Sequence, residues 1–148
     1  MTINSRSKGG RGEREVIALL QPIVDDVYRQ AGKQAPQLQR NSMQANGLGG
    51  CDIVGLPWLA IEVKRCETLL LDQWWQQCCS QAQRGAMPVL VYRQSKQPWK
   101  VRLYAGLAYW CKSGDTGPLL QHLWTPADIS WHAFTEYLTR LLERRVTE

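Results

Sequence analysis

The sequence predicts an α/β fold in which a mixed central β-sheet is flanked by helices. Three observations carry that prediction. Apolar residues recur at helical spacing in residues 13 to about 30 and again in residues 69–84. Residues 88–93 form a β-branched and aromatic run that reads as a strand, and residues 99–104 pair with it across a turn at 95–98. Between the two helices, residues 50–64 read as two short strands joined by a tight turn at residues 55–57. A chain of 148 residues is expected to form one domain, long enough to bury a sizeable core.

Taken in order, residues 1–12 are polar and rich in Ser, Gly and Arg, and read as a mobile basic arm. That arm is either a terminus without a role or a contact for phosphates. The first helix follows, with Val16, Leu19, Leu20, Ile23, Val24 and Val27 on its apolar face. Glu13 and Glu15 are expected in its first turn, where the helix dipole favours acids. Pro22 implies a kink or a break. Residues 31–50 read as a loop around a short strand near residues 38–40, and Arg40 and Ser42 are candidates for phosphate contact. The glycine-rich end of this loop either lets a ligand approach closely or makes a flexible turn.

The second helix places Leu70, Trp74, Cys78 and Ala82 along one face and is rich in glutamine. Most of these amides read as an exposed polar face, with one or two able to hydrogen-bond the region of Lys64 or a bound ligand. Gly85 reads as the residue that stops the helix. Beyond Tyr104 the pattern weakens until residues 125–128, where Pro126 suggests the first turn of a helix. That helix is expected to run through Trp131, Phe134, Leu138 and Leu141 to about Arg145, packing on the sheet or forming a dimer contact. The organisation is therefore an arm (1–12), a core (13–104) and a C-terminal extension with a helix (105–148).

A net charge of +5 and a pI near 9.1 suggest a polyanionic partner. Arg6, Lys8, Arg11 and Arg14 crowd one terminus, and Arg140, Arg144 and Arg145 crowd the other. The five Cys contain no Cys-x-x-Cys spacing, so reduced thiols are expected, with no zinc site or disulfide framework. No apolar run approaches membrane-spanning length and the first residues do not read as a secretory signal, so a cytoplasmic protein without a membrane partner is expected.

The chemistry concentrates in the central hairpin. Glu62 and Lys64 are two apart on one strand and share a face, while Ile61 and Val63 point to the core. Asp52, at the start of the partner strand, can lie alongside Glu62. Two carboxylates can hold Mg²⁺, which polarises a phosphoryl oxygen and activates a water, and a nearby ammonium can orient that water or offset developing charge. A solvated strand face with a cross-strand charge pair would carry the same residues.

Asp52 followed ten residues later by Glu62-Val63-Lys64 resembles the signature of the PD-(D/E)XK nucleases. Together with residues 8–15, Arg40, Ser42 and residues 51–54, the pattern over roughly residues 8–93 closely resembles the archaeal-type Holliday-junction resolvases of that superfamily, which has phage-encoded relatives. The resemblance implies a restriction-endonuclease-like core. It implies that Asp52 and Glu62 bind Mg²⁺ (Mn²⁺ substituting) with the main-chain carbonyl of Val63 as a further ligand. It further implies that Lys64 is the catalytic lysine and that Glu13 is an additional acidic residue completing the site. Lys8, Arg11, Arg14, Arg40 and Ser42 would contact DNA. A homodimer nicking two strands of a four-way junction in DNA recombination is the implied assembly, in a cell or a phage-infected host. Cys51 stands where many members carry Pro, and residues after 104 show no resemblance. The residues themselves leave open another endonuclease of the superfamily (flap, nicking or restriction-type) or a non-catalytic nucleic-acid-binding protein.

Overall fold

The computed structural model describes residues 5–42, 50–112 and 118–148. Along them run α1 (Ser5–Gln30), β1 (Gln39–Arg40), β2 (Ile53–Val54), β3 (Leu59–Cys66), α2 (Leu71–Gln81), β4 (Met87–Gln94), β5 (Lys100–Lys112), β6 (Pro118–Ser130) and α3 (Trp131–Thr147). The strands form one sheet in the order β1-β2-β3-β4-β5-β6. Neighbours are antiparallel except β3 and β4, whose parallel pairing runs from Leu59 opposite Met87 to Cys66 opposite Gln94. A parallel pair cannot be joined by a tight turn and needs a crossover, which α2 supplies.

Side chains alternate across the sheet, and this divides the interior in two. Ile61, Val63, Val89, Val91 and Val101 pack with Val16, Leu20 and Val24 of α1 and with Phe134, Leu138 and Leu142 of α3. Leu90 and Tyr92 face the other way, against Trp74, Trp75 and Cys78 of α2. β4 is thus covered on both faces, as its continuous apolar run requires. α3 belongs to the internal layer, with Phe134, Leu138, Leu142 and Val146 buried, so the alternative of a dimer contact through this face does not arise.

Four expectations are corrected. α1 begins at Ser5, so the described part of the 1–12 arm is helical, not a mobile tail. Glycine disfavours helix, but here tertiary packing overrides propensity. A Cβ on Gly10 would stand 2.8 Å from the Arg40 guanidinium, so the glycine leaves room for that group to lie close against the helix. Glu13 and Glu15 consequently sit well inside α1, whose first turn carries no acid, and the dipole rationale for them fails. Of the kink or break expected at Pro22, the break does not occur: α1 continues to Gln30, its buried Leu20, Val24 and Val27 holding the helix against the sheet.

The third correction concerns α2, which ends at Gln81 with Ala82 extended; Gly85 (φ 89°) lies in the turn beyond. The fourth and largest is residues 105–112 and 118–130. They complete a two-stranded ribbon, with β5 and β6 paired from Lys100 opposite Ser130 to Lys112 opposite Pro118. Pro126 lies inside β6, which is an edge strand, where a missing N–H costs no ladder bond on the open side. The N-cap of α3 is Ser130, whose Oγ accepts from the Ala133 N–H at 3.0 Å.

Candidate active site

The β2–β3 hairpin needs a glycine at its turn. Gly55 has φ 128°, and a Cβ there would meet the Gln37 carbonyl oxygen at 2.7 Å. This tight approach locks β1 onto the hairpin and fixes the start of β2. Asp52 immediately precedes β2 and is tied on three sides. Its N–H donates to the Ile61 carbonyl at 2.9 Å, its carbonyl accepts from the Asn41 N–H at 2.8 Å, and its Oδ2 accepts from the Val63 N–H at 2.7 Å. The register, Ile53 opposite Ile61, places Asp52 against the segment that carries Glu62.

Asp52 and Glu62 are the buried polar side chains of the described structure, at 7% and 2% exposure. Burying one carboxylate is costly and burying two together is more so. Burial, and then the charge of Asp52, push the Glu62 carboxyl up to about 7, with Lys64 opposing them. The Lys64 ammonium lies 2.9 Å from Glu62 Oε1. α2 contributes Gln77, whose Nε2 donates to the same Oε1 at 3.4 Å. Glu62 Oε2 is buried and has no hydrogen-bond partner among the described residues. Two buried carboxylates with one unsatisfied oxygen and a single ammonium fit a divalent cation, whose charge would offset their repulsion.

The sequence-derived candidates divide accordingly. Asp52, Glu62, Val63 and Lys64 come together on one hairpin. Glu13 does not join a cluster: among the described residues no three His, Cys, Asp or Glu side chains converge as a metal site would need. Its carboxylate instead binds the Arg40 guanidinium from β1. Arg40 remains about half exposed, and Arg11, Arg14 and Ser42 are exposed. The side chain of Lys8 lies outside the described residues.

Two residues were not singled out from sequence. Glu15 accepts from Arg93 at 2.7 Å and from the Trp99 indole at 3.2 Å, tying α1 to β4 and the start of β5. Gln77 reaches Glu62; the amide-rich helix was a signal, but five similar glutamines gave no way to choose one. The Cys78 thiol packs on the same side, and burial together with the charge of Glu62 pushes it up to about 12, so it stays a neutral thiol.

No helix among the described residues is long and apolar enough to cross a membrane. Comparison with known proteins gives one family match, to the model described as "Phage putative PDDEXK endonuclease", over residues 4–115. No curated protein and no solved structure matches. The matched span runs from the start of the chain to the end of β5 and includes the whole carboxylate hairpin. The mixed six-stranded sheet with helices on both faces is the α/β core expected of such a nuclease. The chain belongs to the family of phage PD-(D/E)XK endonucleases.

Proposed function

We propose that this endonuclease is Mg²⁺-dependent and structure-selective, and that it resolves four-way DNA junctions as a homodimer by paired nicks. The observation that carries the reading is the buried Asp52–Glu62 pair with Lys64 on the same strand face, in a chain of net charge +5. Asp52, Glu62 and the Val63 carbonyl would hold the cation, which when bound polarises the scissile phosphate and lowers the pKa of a water. Mn²⁺ has the same preference for oxygen donors and would substitute.

The chain supplies the rest. Lys64 holds Glu62 in place and presents an ammonium where charge develops on the phosphoryl oxygens. Arg40 is the natural phosphate contact, and a phosphate that engaged it would free Glu13 to act as the additional acidic group. Lys8, Arg11, Arg14 and Ser42 would grip backbone without reading sequence, making affinity fall steeply with salt.

The β5–β6 ribbon supports the second copy. β4 pairs with β5 only at Lys100, Val101 and Arg102, so the distal ribbon pairs only with itself. Leu107, Tyr109, Leu120, Leu123 and Trp124 there are 45–68% exposed. No Asp, Glu, Lys or Arg lies within residues 103–111 or 120–127, which suits a protein partner and not a phosphate backbone. These side chains present apolar surface on the order of several hundred Å², approaching one side of a standard interface. Leu107 and Leu123 are cross-strand partners. The Leu107→Asp/Leu123→Asp variant is expected to sediment as a monomer with unchanged far-ultraviolet circular dichroism, where the parent sediments as a dimer. A monomeric parent, or a dimer that survives the variant, removes the ribbon from the assembly.

Function is tested by cleavage of a labelled four-way junction beside linear duplex and flap DNA, with Mg²⁺ and with EDTA. Symmetric paired nicks on the junction alone, lost in EDTA, are expected. Equal cutting of duplex or flap would leave an endonuclease without a junction role.

A further inference from the structure

Beside the carboxylate pair lies a cavity of about 460 Å³, within the range of small-ligand pockets. The hairpin turn, β1's exit and the end of α2 enclose it. Val54 and Pro57 give it exposed apolar surface, backed by the buried Ile53, Leu56, Leu59 and Ala60. Its polar side chains are chiefly amides: Asn41 from beyond β1, and Gln81 and Gln83 from the end of α2. No described lining residue is charged. A phosphate pocket would carry Arg or Lys, and a cation site would carry carboxylates. The ligand this lining suits is neutral, has apolar faces, and carries both hydrogen-bond donors and acceptors at its edge. Each amide offers both kinds of group.

Gln81 sharpens the inference. Gln81 lines the cavity, while its Oε1 is buried and has no hydrogen-bond partner among the described residues, so turning that amide into the cavity to meet a donor would replace an unpaired acceptor with a paired one. Leaving such a group unpaired is costly, and a donor on an incoming ligand would relieve that cost. The cavity also shares its wall with the site: Cys51 and Ile53 line it on either side of Asp52, and Ala60 lines it two residues before Glu62. A nucleotide whose phosphate lay at Asp52 and Glu62 would carry its neighbouring base to this opening.

We propose that the cavity receives one unpaired nucleobase adjoining the scissile phosphate, stacked on the apolar wall and read at its edge by Gln81 and Gln83. The proposal rests on the nuclease reading and narrows its substrate: the cut strand must offer a base out of the stack, as at the open centre of a junction. It also gives the glutamine-rich end of α2 a task distinct from that of Gln77.

The test uses the full chain and a series of junctions. At each position flanking the cut, A, C, G, T or an abasic residue is placed in turn. Hydrogen-bonded base readout is worth about 10- to 100-fold in rate, so the parent is expected to vary by that factor at one position and to be slowest on the abasic strand. Gln81→Leu should flatten the preference while cleaving the abasic substrate as fast as the parent. Equal parental rates at every position, or a Gln81→Leu defect of the same size on the abasic strand, would overturn the pocket while leaving the nuclease standing. A readout independent of cleavage uses 2-aminopurine stepped through the same positions, in EDTA. A several-fold fluorescence change on binding at one position, smaller in Gln81→Leu, is expected. No change at any position overturns the proposal even in a chain that cuts nothing.

Discussion

Asp52→Asn is expected to lower cleavage by at least about 10³-fold in Mg²⁺ while leaving DNA affinity within a few-fold of the parent. The substitution preserves shape, and the new amide oxygen can still accept from the Val63 N–H that Asp52 now holds at 2.7 Å. What it removes is one of two negative charges that make the site fit a divalent cation. Lys64→Ala should have a comparable effect on rate, since it takes away the ammonium 2.9 Å from Glu62. Single-turnover cleavage measured beside binding in EDTA separates the two effects. Parallel loss of binding in both variants would mean that these groups hold the hairpin together and do not carry the chemistry.

The second large effect is on stability, and its direction is opposite. Glu62→Gln should abolish cleavage yet make the metal-free protein more stable above neutral pH. The folded protein raises this carboxyl from 4.5 to about 7. Below about pH 4.5 the group is protonated in both folded and unfolded chains and costs nothing. Between these values the unfolded chain releases its proton and the folded one retains it, so stability falls as pH rises. Above about 7 the full cost of a buried charge is present, on the order of 3 kcal/mol for such a change. The amide carries no charge to bury, can still accept from Lys64, and can offer a donor towards Asp52. The expected gain at pH 8 is a rise in melting temperature of roughly 5–10 °C. At pH 4.5 the parent and variant should melt together. Mg²⁺ should raise the melting temperature of the parent far more than that of the variant. A variant less stable than the parent at pH 8 without metal would show that the Glu62 charge is compensated by the fold itself.

The site was more legible than its surroundings. Strand alternation alone sends Ile61 and Val63 to one layer and Glu62 and Lys64 to the other, and a ten-residue separation across a tight turn brings Asp52 alongside. These are local consequences of period-two geometry, so no tertiary knowledge was needed. The rest was hidden because long-range packing decided it. Gly10 and Gly12 read as loop residues until the Arg40 guanidinium and the Trp99 ring are placed against the helix that contains them. Glu13 and Arg40 stand far apart in sequence, and nothing in either predicts that they bind each other. Thr125 and Pro126 carry a helix-start pattern that an edge strand tolerates equally well. The distal ribbon lacks polar–apolar alternation because neither of its faces packs on the core, and that erased the usual mark of a strand.

The single parallel pairing, β3 with β4, constrains the order in which the molecule can assemble. The β2–β3 and β5–β6 hairpins join residues near in sequence and can close early, whereas the parallel ladder must wait for the intervening helix to dock. Asp52 and Glu62 are brought into register by the β2–β3 hairpin alone. In the folded chain α2 sets Gln77 against Glu62 and Cys78 on the same side of the sheet, and the pair is buried. The register of the candidate site is thus a local property of one hairpin, whereas its dry surroundings come from the layer that α2 adds.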